Sequence, residues 1–176
     1  MNRFAPLLLL LSLCLLPVQA QAQTQFQLGP RIGIDVGDVE EFFIGADARI
    51  EAESLPVIIN PTFDFYFTED PLTFWGLSAN ALYPFGVDNE AFTPYAGAGL
   101  GLYRTSVDDQ EVDTPFGDVT VEGGSSTDVG LNLLFGAEFV VNRSFVPFVE
   151  AQYSPVFTDG ETTNLFNVKA GLLFGL

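Results

Sequence analysis

The chain has no histidine, and its one cysteine is Cys14. Without imidazole there is no Ser-His catalysis, no histidine metal centre and none of the histidine-dependent hydrolase or protease chemistries. Cys14 lies inside an N-terminal apolar run that reads as a removable leader. The exported chain therefore has no disulfide, no thiol nucleophile and no cysteine metal site. Basic residues are also scarce. Six Lys and Arg face 23 Asp and Glu, for a formal charge of −17. Nucleic acid, whose phosphates need a basic face, is excluded as a partner, and there is no polybasic patch for an anionic membrane surface. Beyond the leader no apolar run reaches the roughly 18 residues of a membrane helix, so any crossing must be made by strands. The acidity does not signal disorder, because 48% of residues are hydrophobic and 14% aromatic, with 18 Phe, whereas disordered chains are poor in aromatics.

The leader has three parts. Met1-Asn2-Arg3 is a short positive start, Leu7 to Leu16 is the apolar core, and Val18-Gln19-Ala20 is a small-residue cleavage site, with Ala22 as a second candidate. This is the pattern of a secretory signal peptide over residues 1–20. A single domain is then expected over 21–176. Lipidation at Cys14 fits poorly, because Leu13 stands where a small residue is normally needed.

The remaining chain alternates with a period of two, which is the period of a strand. The C-terminal run Phe166 to Leu176 shows it best. Phe166, Val168, Ala170, Leu172, Phe174 and Leu176 are apolar on one parity, and Asn167, Lys169, Gly171, Leu173 and Gly175 fill the other. Its length, at ~3.3 Å per residue, suits a tilted strand crossing a bilayer. Seven earlier runs alternate likewise: Phe26–Val36, Phe42–Ala52, Leu55–Phe67, Leu72–Tyr83, Pro94–Val107, Asp128–Val141 and Phe145–Tyr153. Asp108–Thr127 reads as the longest polar connection, with Val119-Thr120-Val121 extending the flanking hairpin, and Ser154–Asn164 reads as an acidic loop. Lipid leaves no sheet edge unpaired, so the last strand is expected to close against the first. The predicted fold is an all-β, eight-stranded antiparallel up-and-down transmembrane barrel with an apolar lipid-facing exterior. Connections after odd-numbered strands are acidic and are expected to face outward, with two of them long.

The second parity is rich in glycine and carries charges, as a narrow eight-stranded bore requires. Arg31, Arg49 and Lys169 share it with Asp47, Glu51, Asp64, Glu138 and Glu150. A charge in such a bore is costly unless paired, so an ion-pair network of these eight residues is expected. A soluble barrel would invert the arrangement and bury the Phe-rich parity. Acid pairs such as Asp108-Asp109 and Asp159 with Glu161 have the oxygen chemistry for Ca²⁺ but not the EF-hand spacing. Solvated loop acid is the reading adopted, and no metal, cofactor or catalytic residue is assigned.

Two further runs carry a resemblance. Pro94-Tyr95-Ala96-Gly97-Ala98-Gly99-Leu100-Gly101 and Phe145-Val146-Pro147-Phe148-Val149-Glu150-Ala151 resemble strands of the small bacterial outer-membrane β-barrels of the OmpA, OmpX and OmpW type. Lys169, Gly171, Phe174 and Leu176 resemble the C-terminal insertion signal of such barrels. The resemblance implies insertion into a Gram-negative outer membrane, contact with its lipid, and delivery by the barrel-assembly machinery through the last strand as a monomer. It implies no catalytic residue. Three functions follow as expectations. The first is a non-enzymatic barrel with a structural or surface-interaction role. The alternatives are a narrow channel for small solutes and a soluble exported binder of an apolar ligand.

Overall fold

The computed structural model describes residues 24–87, 91–114, 117–141 and 145–175. The expected leader, its cleavage site at Ala20, Cys14, the Asn142–Ser144 turn and Leu176 lie outside them. Among the described residues ten strands form: β1 Thr24–Asp35, β2 Phe42–Ala52, β3 Ile58–Tyr66, β4 Leu72–Pro84, β5 Phe92–Val107, β6 Gln110–Thr114, β7 Gly117–Val121, β8 Gly124–Phe139, β9 Val146–Phe157 and β10 Thr162–Gly175. Eight of them close into a barrel in the order β1-β10-β9-β8-β5-β4-β3-β2, all neighbours antiparallel. The first and last strands meet, with Ile32 opposite Ala170 and Asp35 opposite Asn167.

The alternation decides which way each side chain points. Ile32 is 63% exposed and its neighbour Arg31 1%. Leu133 is 58% exposed beside buried Asn132, and Phe135 63% exposed beside buried Leu134. The Phe- and Leu-rich parity therefore forms the outer wall, and polar and glycine residues fill the bore. Outward aromatics such as Phe42, Phe67, Tyr83 and Phe174 stand near strand ends, where interfacial girdles lie in such barrels; Tyr153 lies mid-strand in β9, opposite Leu133.

The structure changes four expected boundaries, the first of them at β3, which begins at Ile58 rather than Leu55. β8 begins at Gly124, ahead of Asp128, and pairs with β5 out to Val107 opposite Gly124. The Val119–Val121 segment does not extend that hairpin. It belongs to a separate two-stranded sheet, β6 with β7, inserted between β5 and β8. β9 runs on to Phe157, so the expected loop over Ser154–Asn164 shrinks to 158–161. Only one of the two expected long connections, 108–123, is long.

Three prolines interrupt the ladders without shifting register. The β1–β10 pairing lapses at Gly29-Pro30, the β2–β3 pairing opposite Asn60-Pro61, and the β8–β9 pairing opposite Ser154-Pro155. Proline has no N–H to give, so its partner carbonyl loses a donor. At Pro61 a side chain supplies one, as Asn60 Nδ2 donates to the Ala48 carbonyl at 2.9 Å.

Candidate functional site

The bore holds three layers. At the end where β1 begins and β10 ends, Leu82, Tyr95 and Leu134 pack together, with Ile58 against them. At the far end Phe43, Tyr66, Phe74, Tyr103, Val156 and Leu165 form a second apolar layer. Its rings pass from strand to strand: Phe43 to Tyr66 at 4.9 Å, Tyr66 to Phe74 at 4.8 Å, and Phe74 to Tyr103 at 6.2 Å. Glycines make room for these bulky side chains in a bore this narrow. A Cβ on Gly76, Gly101 or Gly130 would come within 3.0 Å of the Tyr103 ring, and one on Gly136 would come 2.5 Å from Tyr95.

Between the apolar layers lies a polar one, and its bonds form a closed circuit. Arg31 donates to Asp64 through Nε at 2.8 Å and to Asp47 through Nη1 at 3.2 Å. Asp47 accepts from Arg49 Nε at 3.2 Å and from Asn60 Nδ2 at 2.9 Å. Asn80 donates to Asn60 at 3.2 Å, and Asn132 to Asn80 at 2.9 Å. Ser154 and Tyr103 both donate to Asn132 Oδ1, at 2.8 and 2.9 Å. Gln152 donates to Ser154 at 2.7 Å and accepts from Lys169 Nζ. Lys169 lies 3.2 Å from Glu150 Oε1, and Glu150 Oε2 accepts from Tyr95 at 3.0 Å. Arg49 donates to Tyr95 at 3.0 Å and also pairs with Glu138, returning the circuit to Asp47. The Arg49 guanidinium lies over the Phe148 ring, 4.6 Å from its centroid, which supports the cation on an aromatic face. Every barrel strand contributes at least one member.

The expected ion-pair set thus comes together at seven positions: Arg31, Asp47, Arg49, Asp64, Glu138, Glu150 and Lys169. Glu51 departs from it. It shares the inward parity but stands next to the end of β2, where the wall stops and solvent begins, and it is exposed. The amide and hydroxyl links, Asn60, Asn80, Asn132, Gln152 and Ser154, were not assigned from sequence. Their shared inward parity is the available signal for all but Ser154, which the sequence places in a loop. Gly99 lies between Asn80 and Asn132 in the register, and a Cβ there would come 2.3 Å from Asn80 Oδ1. Of the four insertion-signal positions, Lys169 is buried in the bore, Gly171 packs under Phe148, and Phe174 is 42% exposed on the outer wall.

The far end is built differently from the other. Its connections, 36–41, 67–71, 108–123 and 158–161, hold thirteen acidic residues and no basic one, whereas 53–57, 85–91 and 140–145 hold three acidic residues and Arg143. Segment 36–41 folds back over the mouth. Asp35, 1% exposed, accepts from the amides of Gly37, Val39, Glu40 and Phe166 at 3.2, 3.0, 3.1 and 2.7 Å. That clamp presses Val39 onto the aromatic layer. Among the described residues no group of three or more acidic side chains converges as a metal site would require.

The family model for the outer membrane protein beta-barrel domain matches residues 7–174. Among solved structures, Neisserial surface protein A is similar at 18% identity and a TM-score of 0.61, covering 86% of this chain and 96% of that one. The Ail protein of Yersinia pestis is similar at 15% identity and a TM-score of 0.59, covering 89% and 100%. The N-terminal barrel domain of Pseudomonas aeruginosa OprF is similar at 15% identity and a TM-score of 0.56, covering 88% and 100%. No curated protein matches the chain.

Proposed function

The chain belongs to the outer membrane protein beta-barrel domain family, and from that premise we propose that it is a non-enzymatic barrel of the bacterial outer membrane with a structural or surface-interaction role. Its outer wall contacts lipid, and its acidic end is turned outward. The observation that carries this reading is the pair of apolar layers. Leu82, Tyr95 and Leu134 at one end, beside the Arg49–Glu138 pair, and the Phe43–Tyr103 layer at the other crowd the bore with apolar side chains. These layers weigh against the narrow channel. The exposed Phe and Leu wall, over a bore that buries Arg31, Arg49 and Lys169, sets the soluble ligand binder aside. Ail has been solved with sucrose octasulfate, a heparin analogue. The thirteen acidic residues at the outer end here favour partners of the opposite charge.

The proposal includes removal of the leader near Ala20, delivery by the barrel-assembly machinery through β10, and a monomeric barrel. Recording from the purified barrel in planar bilayers tests its main element. The expected trace shows no stepwise conductance. A stable conductance that survives in a variant truncated in the 108–123 connection would replace this reading with the channel.

A further inference from the structure

Above the far aromatic layer the bore opens into a cavity of about 120 Å³. Phe74, Tyr103 and Val156 form its floor, and Val39 lies against one side. Its rim carries the hydroxyls of Thr105, Thr158 and Thr163 and one carboxylate, Asp128. The floor is rigid. Phe74 and Tyr103 lie nearly parallel at 15°, and Tyr103 is tied below by its bond to Asn132. Asp128 stands opposite Tyr103 in the β5–β8 register, so its side chain shares the inward parity. It accepts from Ser126 Oγ at 2.9 Å, and among the described residues no Lys or Arg forms an ion pair with it. The nearby cation, Arg104, instead donates to Thr127 and Ser125.

From this geometry we propose that the cavity is a binding site for a small alkylammonium ion. Aromatic faces attract a cation whose methyl groups shed water easily. The carboxylate at the rim supplies the counter-charge, and the acidic connections around the mouth raise the local cation concentration. A neutral ligand of the same shape would gain only the apolar contact. A sugar would leave Asp128's charge unanswered, and an anion would be repelled.

The experiment titrates choline, its neutral carbon isostere 3,3-dimethylbutanol, and glucose against the folded full-length barrel in a maltoside detergent free of ammonium groups. Binding is read by calorimetry or ligand-observed NMR. Choline is expected to bind about tenfold more tightly than its isostere, the preference expected from aromatic contact with a cation. Asp128→Asn keeps the Ser126 bond and is expected to weaken choline about tenfold while leaving the isostere unchanged. Phe74→Leu keeps the apolar floor without its π face and is expected to narrow the choline preference. Absence of choline binding, equal binding of the isostere, tighter binding of glucose, or an Asp128→Asn variant as tight as the parent would overturn the proposal. If Asp128→Asn fails to fold, the isostere comparison on the parent and the Phe74→Leu titration decide it. The site does not depend on whether the barrel conducts, so the bilayer recording and this titration fail separately.

Discussion

Replacing Arg31 with Met should strand Asp64 at the centre of the barrel and leave Asp47 to Arg49 and Asn60 alone. Arg31 is 1% exposed, holds Asp64 through two nitrogens, and reaches Asp47 at 3.2 Å. Met fills much of the same space, so the loss is electrostatic rather than a cavity. Removing one partner of a buried ion pair costs about 3–5 kcal/mol, because the other charge stays buried without an answer. At ~1.4 kcal/mol per tenfold, the folding equilibrium should fall about a hundredfold to several thousandfold. That is a large share of a stability of order 5–15 kcal/mol. The assay is urea titration of the barrel in lipid vesicles. Folding is read by the fluorescence of Trp75, the sole tryptophan, and independently by heat-modifiable migration. Adding Asp64→Asn to Arg31→Met removes the stranded charge and should recover at least about 1 kcal/mol. Glu51→Gln, on the same parity but exposed, should stay within about 0.5 kcal/mol of the parent. A cost below about 1 kcal/mol for Arg31→Met, or a double variant no better than the single, would show that the bore is wet and the pairing unimportant.

Three further substitutions test other parts of the structure. Gly136→Val would put a Cβ about 2.5 Å from the Tyr95 ring and should destabilise by roughly 1–3 kcal/mol; Gly124→Ala, which meets nothing within 4 Å, should be silent in the same titration. Leu133→Lys, at a position 58% exposed on the wall, should cost about 2–4 kcal/mol in vesicles, as a lysine near the bilayer midplane does. No loss there would mean that this face meets water. Asn60→Leu removes the donor to the Ala48 carbonyl beside Pro61 and should cost roughly 1–3 kcal/mol. Pro61→Val restores a backbone N–H at that point, so the Asn60→Leu penalty should shrink in its background. An unchanged penalty in a double-mutant cycle would show that Asn60 does not substitute for the missing ladder bond.

The parity of every barrel strand was legible from sequence, because one wall meets hydrocarbon and the other a crowded bore. Strand ends were less legible. Ser154-Pro155 looks like a turn, yet Ser154 turns into the bore and Pro155 sits in a ladder that tolerates the missing donor. Glu51 shows the limit of parity, which fixes a face but not a height, and a residue past the rim is solvated whichever way it points. The charged members of the bore stood out because a buried charge demands a partner. Asn60, Asn80 and Asn132 raised no such alarm, since neutral amides are common in loops and on surfaces. Their role emerges only when the register sets three adjacent strands at one level. The apolar layers were hidden for a related reason. Phe43 and Phe74 lie on the parity that glycine dominates, and it takes the facing glycines to explain where such rings fit.

The polar circuit also has a consequence for how the barrel is made. It works as a hoop does on staves, and it cannot be fastened before the last stave arrives. Lys169, which answers Glu150 and Gln152, sits on β10. A sheet of the first seven barrel strands would therefore leave Glu150 and Gln152 without their cation on its concave side. Water must accompany that half-built sheet into the bilayer and leave only as the final strand swings shut. The interior chemistry thus favours late, all-at-once drying over strand-by-strand burial.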